Sequence, residues 1–180
     1  RPVAVAGIMG GKDTEITDST KNILIESACF DPVMIRKACR QLGLASESSY
    51  RFERGVDQGM IFAANIRAQE LIKDMAGGRA AGKMSDAGTG IEKGKEKILF
   101  LEEVPRILGI DIPAEKIKDL FRRLNLKPIR KKDKIFVTIP SYRRDLNGEI
   151  DLIEEIARLN GYDKIPARIP SFTSHKTYQL

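Results

Sequence analysis

The run Lys127-Pro128-Ile129-Arg130-Lys131-Lys132-Asp133-Lys134-Ile135-Phe136-Val137-Thr138-Ile139 decides how this chain of 180 residues folds. Lys134 to Ile139 is almost wholly β-branched or aromatic, and the short stretch Lys127 to Ile129 precedes it as a candidate partner strand. The basic turn Arg130-Lys131-Lys132-Asp133 joins them as a strand pair. Upstream, Pro113 opens a helix whose apolar face is Ile117, Leu120, Phe121 and Leu124. Before it, Glu102 to Leu108 forms a short helix ended by Gly109, and Lys97 to Leu101 alternates as a strand. Downstream, Pro140 to Asp145 is a loop, and 149–160 forms an amphipathic helix stopped by Gly161.

Two short helices followed by a basic hairpin resemble a winged-helix-like plan, and this second module is expected over 96–170. Four glycines, Gly82, Gly88, Gly90 and Gly94, mark a boundary segment over 82–95 that places the linker at 86–95, and 171–180 reads as a tail. The first module, 1–85, has apolar runs at 3–10 and 22–30 that read as buried strands. The first run is broken by Gly7, Gly10 and Gly11, and the polar stretch Lys12 to Lys21 reads as a hairpin-type loop. Asp31-Pro32 starts a helix carrying Val33, Ile35, Ala38, Cys39 and Leu42, with Gly43 as its stop. Ser46 to Ser49 reads as a polar loop. A second helix is expected over roughly 57–76, with Ile61, Phe62, Ala64, Ile66, Ala68, Leu71, Ile72 and Met75 on its apolar positions. The fold class is α+β: strands plus two helices, then a small winged-helix-like α+β module.

The bulk numbers exclude several classes. No window approaches the ~18 apolar residues needed to cross a bilayer. There is no secretory leader, although a missing N-terminus would conceal one. Cys29 and Cys39 form no CxxC pair and His175 is the single histidine, so an intrachain tetrahedral zinc site is not expected. Two unpaired thiols suit a reducing cytoplasm. Residues 1–90 carry 12 Lys+Arg against 11 Asp+Glu, and residues 91–180 carry 19 against 14, so +5 of the +6 net charge belongs to the second half. A polyanionic partner is therefore reasonable. The chain begins with Arg1 on what reads as a strand already under way, as an excised piece of a larger protein would.

Six stretches in order resemble an internal portion of the beta subunits of bacterial phenylalanyl-tRNA synthetase (phenylalanine–tRNA ligase). They are Ala4–Gly11, Ile23–Pro32, Ser46–Asp57, Pro140–Asp145, Asp151–Arg158 and Gly161–Pro166. The resemblance implies that the first module is the C-terminal part of a tRNA-editing domain and the second is the family's fifth B module. It implies an alpha-subunit partner in an α2β2 heterotetramer, tRNA(Phe) as a further partner, no membrane, and a cytoplasmic location. ATP and Mg²⁺ serve synthesis on the alpha subunit, and the editing domain hydrolyses mischarged Tyr-tRNA(Phe).

The first candidate site is Gly7 to Gly11 with Glu26. A glycine-rich strand end admits a ligand close to backbone N–H groups, and a carboxylate in an apolar strand requires a reason. The plainer alternative is a glycine turn and a Glu26–arginine pair. By resemblance, Gly7, Glu26 and Ala28 match editing-pocket residues: Glu26 reaches the tyrosine hydroxyl, and Ala28 keeps the pocket open. A buried acceptor for that hydroxyl would strongly disfavour phenylalanine, which would leave it unpaired. The family's pocket also uses a His and a Thr upstream of Gly7, so no catalytic set is complete here and the fragment is expected to be inactive alone.

The second set is Asp145, Asp151, Glu154 and Glu155, an oxygen-only group suited to Mg²⁺. By resemblance these four match ligands of a Mg²⁺ shared with the alpha subunit. The alternative is that acids in a first helical turn complement the macrodipole, with Arg143, Arg144 and Arg158 as ion-pair partners. The third is the basic stretch 116–134, which reads either as a phosphate-contacting surface or as a solvated face, with no interleaved aromatics to stack bases. Arg51, Glu53 and Arg54 read either as part of a partner interface or as local ion pairs. Beyond the synthetase reading stand a non-catalytic winged-helix-like nucleic-acid-binding module and, less suited to the continuous second module, a free-standing editing hydrolase.

Overall fold

A computed structural model describes residues 2–88, 90 and 94–167. The expected tail at 171–180, and with it His175, lies outside the described residues. The chain divides into two compact units at Lys93/Gly94.

In the first unit, β1 (Ala4–Val5) and β2 (Met9–Gly10) pair antiparallel, with Ala4 opposite Gly10 and Val5 opposite Met9. Gly7 turns the chain between them at φ +70°. Helix α1 (Pro32–Leu42) begins where Asp31 Oδ1 accepts the Met34 N–H at 2.8 Å, with Pro32 in the first turn. It ends at Gly43, whose φ of +63° lets its N–H reach back to the Cys39 carbonyl. Helix α3 (Ile61–Ala76) follows a single 3₁₀ turn at Gln58–Met60.

Three expectations for this unit are corrected. Residues 22–30 form no strand: most of their side chains are exposed or half-buried, and Leu24 is 98% exposed. A strand requires neighbours for its backbone groups, and β1 and β2, two residues each, are spent on one another. The segment is instead tied to α3 by side chains. The Ser27 hydroxyl donates to the Ile61 carbonyl at 2.9 Å and Asn65 Nδ2 donates to the Ile25 carbonyl at 3.4 Å. Lys12 to Lys21 is accordingly no hairpin loop. The unit also has a third helix, α2 (Glu47–Phe52), where a polar loop was expected. Ser46 and Ser49 form a reciprocal capping box: each side chain meets the other's backbone N–H, at 3.1 and 2.8 Å.

The second unit holds a three-stranded antiparallel sheet in the order β3 (Lys95–Phe100), β5 (Lys134–Ile139), β4 (Ile129–Lys131). Ile98 and Ile129 both face Phe136, on opposite sides. Alternation along β5 sends Ile135, Val137 and Ile139 to the core. There they meet Leu99, Val104 of α4 (Glu103–Leu108), and Ile117, Leu120 and Phe121 of α5 (Ala114–Arg123). Helix α6 (Glu149–Asn160) closes the core with Leu152, Ile153 and Ile156. The β4–β5 turn contains Lys132 at φ +55°.

Candidate functional site

The start of α6 gathers the acidic set. Asp151 Oδ2 accepts the backbone N–H groups of Asn147 and Gly148, both at 2.7 Å, and so caps its own helix. Glu149 Oε1 accepts the Phe100 N–H at 2.6 Å and ties the same turn to β3, a contact that nothing in the sequence pattern suggests.

Asp145 and Glu155 do converge, but on an arginine. Arg143 donates from Nε to Asp145 Oδ1 at 2.9 Å and from Nη2 to Asp145 Oδ2 at 2.6 Å, a bidentate pair. The same Nη2 donates to Glu155 Oε1 at 2.7 Å, and Arg158 holds the other Glu155 oxygen. Hydrogen bonding from Arg143 lowers the Asp145 pKa, and Asp145 and Glu155 together raise that of Arg143. Glu154 is exposed.

This arrangement does not fit a resident Mg²⁺. Two of the four carboxylates already share an arginine, one is a helix cap, and the fourth points to water. Among the described residues no three His, Cys, Asp or Glu side chains are placed to hold a metal ion.

In the first unit an open concavity of about 310 Å³ is lined by Glu26, Ser27 and Ala28 on one side. Phe52, Val56, Met60, Ile61 and Ala64 supply most of the remainder. Glu26 is exposed at its lip rather than buried as expected, and it has no arginine partner among the described residues. Asp57 also reaches the concavity, but its Oδ1 accepts the Gly59 N–H at 2.8 Å. Gly7 is not part of this lining. A Cβ there would lie 2.6 Å from Phe30 Cδ2 and 2.8 Å from Ile35 Cδ1, so the turn packs directly on α1 and the ring before it. The structure therefore brings Glu26 and Ala28 together and leaves Gly7 beneath them in sequence but outside the hollow.

The basic stretch is partly self-neutralised. Lys118 pairs with Glu115 at 2.9 Å, Arg122 with Asp119, and Arg130 lies 3.8 Å from Glu115. Rings from outside the stretch accompany its C-terminal end. Lys131 Nζ sits 5.0 Å from the Phe136 ring centre and Lys134 Nζ 4.5 Å from that of Phe100. Only cross-strand register brings Phe100 beside 134, so the linear sequence hid the pair. In the 46–57 segment, Arg51–Glu47 and Arg54–Glu53 are local ion pairs, and Arg54 also stacks on Tyr50.

Comparison with known proteins adds the identity of both units. Residues 1–77 match the B3/4 domain family and residues 99–162 the tRNA synthetase B5 domain family. A protein of Moorella thermoacetica named phenylalanine--tRNA ligase beta subunit is 49% identical over 170 residues, 94% of this chain. The chain belongs to the beta-subunit family of phenylalanine–tRNA ligase. Family members of the same printed name from Geobacter sulfurreducens and Neisseria meningitidis are each 43% identical, over 94% and 91% of the chain. The chain spans about a fifth of their length, 21% in each case. No helix among the described residues is long and apolar enough to cross a membrane.

Proposed function

We propose that this chain serves as the B3/4–B5 part of a beta subunit that acts with an alpha subunit to attach phenylalanine to tRNA(Phe), with ATP. The observation that carries this is the 49% identity over 170 residues, 94% of the chain and so reaching into both units. Within that enzyme the first unit contributes to removal of tyrosine from mischarged Tyr-tRNA(Phe). Glu26, unpaired at the lip of an apolar hollow, suits an acceptor for the one polar atom that distinguishes tyrosine from phenylalanine. Ala28, small and half-buried on the same wall, leaves space for the ring. Gly7 acts on this site through packing, by seating the β1–β2 turn on Phe30.

The test is deacylation of Tyr-tRNA(Phe) by the complete α2β2 enzyme, comparing wild type with Glu26→Ala. The variant removes the acceptor for the tyrosine hydroxyl, so hydrolysis of the tyrosyl ester is expected to fall while phenylalanylation persists. Undiminished hydrolysis would remove Glu26 from the role. Ala28→Trp, which fills the hollow while retaining the Glu26 carboxylate, is expected to have the same effect.

The rings beside Lys131 and Lys134 favour a second reading, a non-catalytic nucleic-acid surface on the sheet of the second unit. It predicts RNA binding that weakens with salt and with Lys131→Ala plus Lys134→Ala. Binding unchanged by that pair of substitutions would dismiss it.

A further inference from the structure

We infer that Arg143 is a built-in counter-ion that keeps divalent cations out of the Asp145, Asp151, Glu154 and Glu155 group, so that this group takes a metal only once the guanidinium has been drawn away. Arg143 Nη2 lies 2.6 Å from Asp145 Oδ2 and 2.7 Å from Glu155 Oε1, the distances of strong charge-assisted hydrogen bonds. The side chains of Arg143 and Glu155 are only 17% and 13% exposed, so solvent and salt screen this pair less than a surface one. Arg158 neutralises the other Glu155 oxygen. Two arginines thus balance the two carboxylates that converge, leaving only Asp151 and Glu154 of the four, without an arginine partner among the described residues, to attract a hydrated ion.

A divalent ion would have to displace a bidentate arginine and also shed water, which Mg²⁺ does reluctantly. Asp151 offers no easy alternative, because its Oδ2 holds two backbone N–H groups at the start of α6. The same bonds fasten the Pro140–Asp145 loop to α6, since Arg143 sits in the loop and Glu155 in the helix. This inference concerns ion pairing within the second unit and does not depend on the proposed editing role.

The experiment uses the full chain and two readouts that need no enzymatic activity. In the first, Mn²⁺, which shares the oxygen-ligand preference of Mg²⁺, is titrated at matched ionic strength and followed by its paramagnetic resonance. Wild type is expected to show no saturable site in the low millimolar range, and Arg143→Met to bind Mn²⁺ about tenfold or more tighter. Arg158→Met, which frees a single oxygen, is expected to stay close to wild type. In the second, wild-type melting is compared in MgCl₂ and in NaCl of equal ionic strength, with a difference below about 2 °C expected.

Saturable Mn²⁺ binding by wild type that disappears in Asp145→Asn plus Glu155→Gln would overturn the inference. So would a folded Arg143→Met chain that gains no binding. If Arg143→Met and Arg143→Gln both fail to fold, the wild-type melting comparison decides: a Mg²⁺-specific rise counts against the counter-ion and its absence for it.

Discussion

Gly7 carries two independent constraints at one position. Its φ of +70° is a conformation that side chains resist, and the space beside it is already taken by Phe30 and Ile35. Gly7→Ala is therefore expected to destabilise the first unit by about 1–3 kcal/mol, measured as a lowered denaturation midpoint. Gly10, with open space around its Cβ position, provides the control, and Gly10→Ala should cost far less. At the acidic set, the adjacent arginines were legible in the sequence as ion-pair candidates, and Arg143 and Arg158 take that part while Arg144 does not. The Glu149 bond to β3 was not legible, because its partner is a backbone N–H 49 residues away.

Elements whose signals are local could be read directly. Helix α1 lies between an Asp-Pro start and a glycine stop, and α6 ends at Gly161 as the pattern requires. β5 takes its expected span, whereas β4 lies two residues beyond the expected Lys127–Ile129 strand, with Arg130 and Lys131 extending the ladder into the basic turn. Residues 22–30 could not be read this way, because strand formation depends on a partner elsewhere, and in this chain their ties run to α3 instead. Helix α2 was concealed by its own composition, since a serine-rich run reads as a loop unless the reciprocal Ser46–Ser49 pairing is noticed. Ser46 has a further role, as its hydroxyl donates to the Ile8 carbonyl at 2.5 Å and joins α2 to the β1–β2 turn. Ser46→Ala is expected to cost about 1–2 kcal/mol, with amide exchange accelerating across 46–52 before other helices respond. Asp151→Ala removes the two-bond cap of α6 and should cost about 1 kcal/mol, seen as a lowered melting temperature for the second unit.

The two units differ in how much apolar surface they bury. Ile8 and Ile35 are the buried apolar side chains described in the first, whereas thirteen form one cluster in the second. Along α3, Phe62, Ile66, Leu71, Ile72 and Met75 are all exposed, although the sequence pattern marks them as a core face. A unit with so thin a core opens at lower free energy, so proteolysis and amide exchange are expected to attack residues 2–77 before 95–165. Phe121, fully buried in the second unit, provides the complementary test. Phe121→Ala should cost about 3–5 kcal/mol and bring the exchange rates of the two units together.

Both cysteines, Cys29 and Cys39, lie in the first unit, unpaired and half-buried, with Cys29 Sγ resting 3.9 Å from the Val56 carbonyl. The chain thus contains a native chemical reporter confined to one unit. The rate at which a thiol-reactive dye attaches follows the accessibility of the first unit alone, without any engineered label and without a signal from the described residues of the second. Conditions or ligands that slow attachment at Cys29 would identify what the concavity beside it holds.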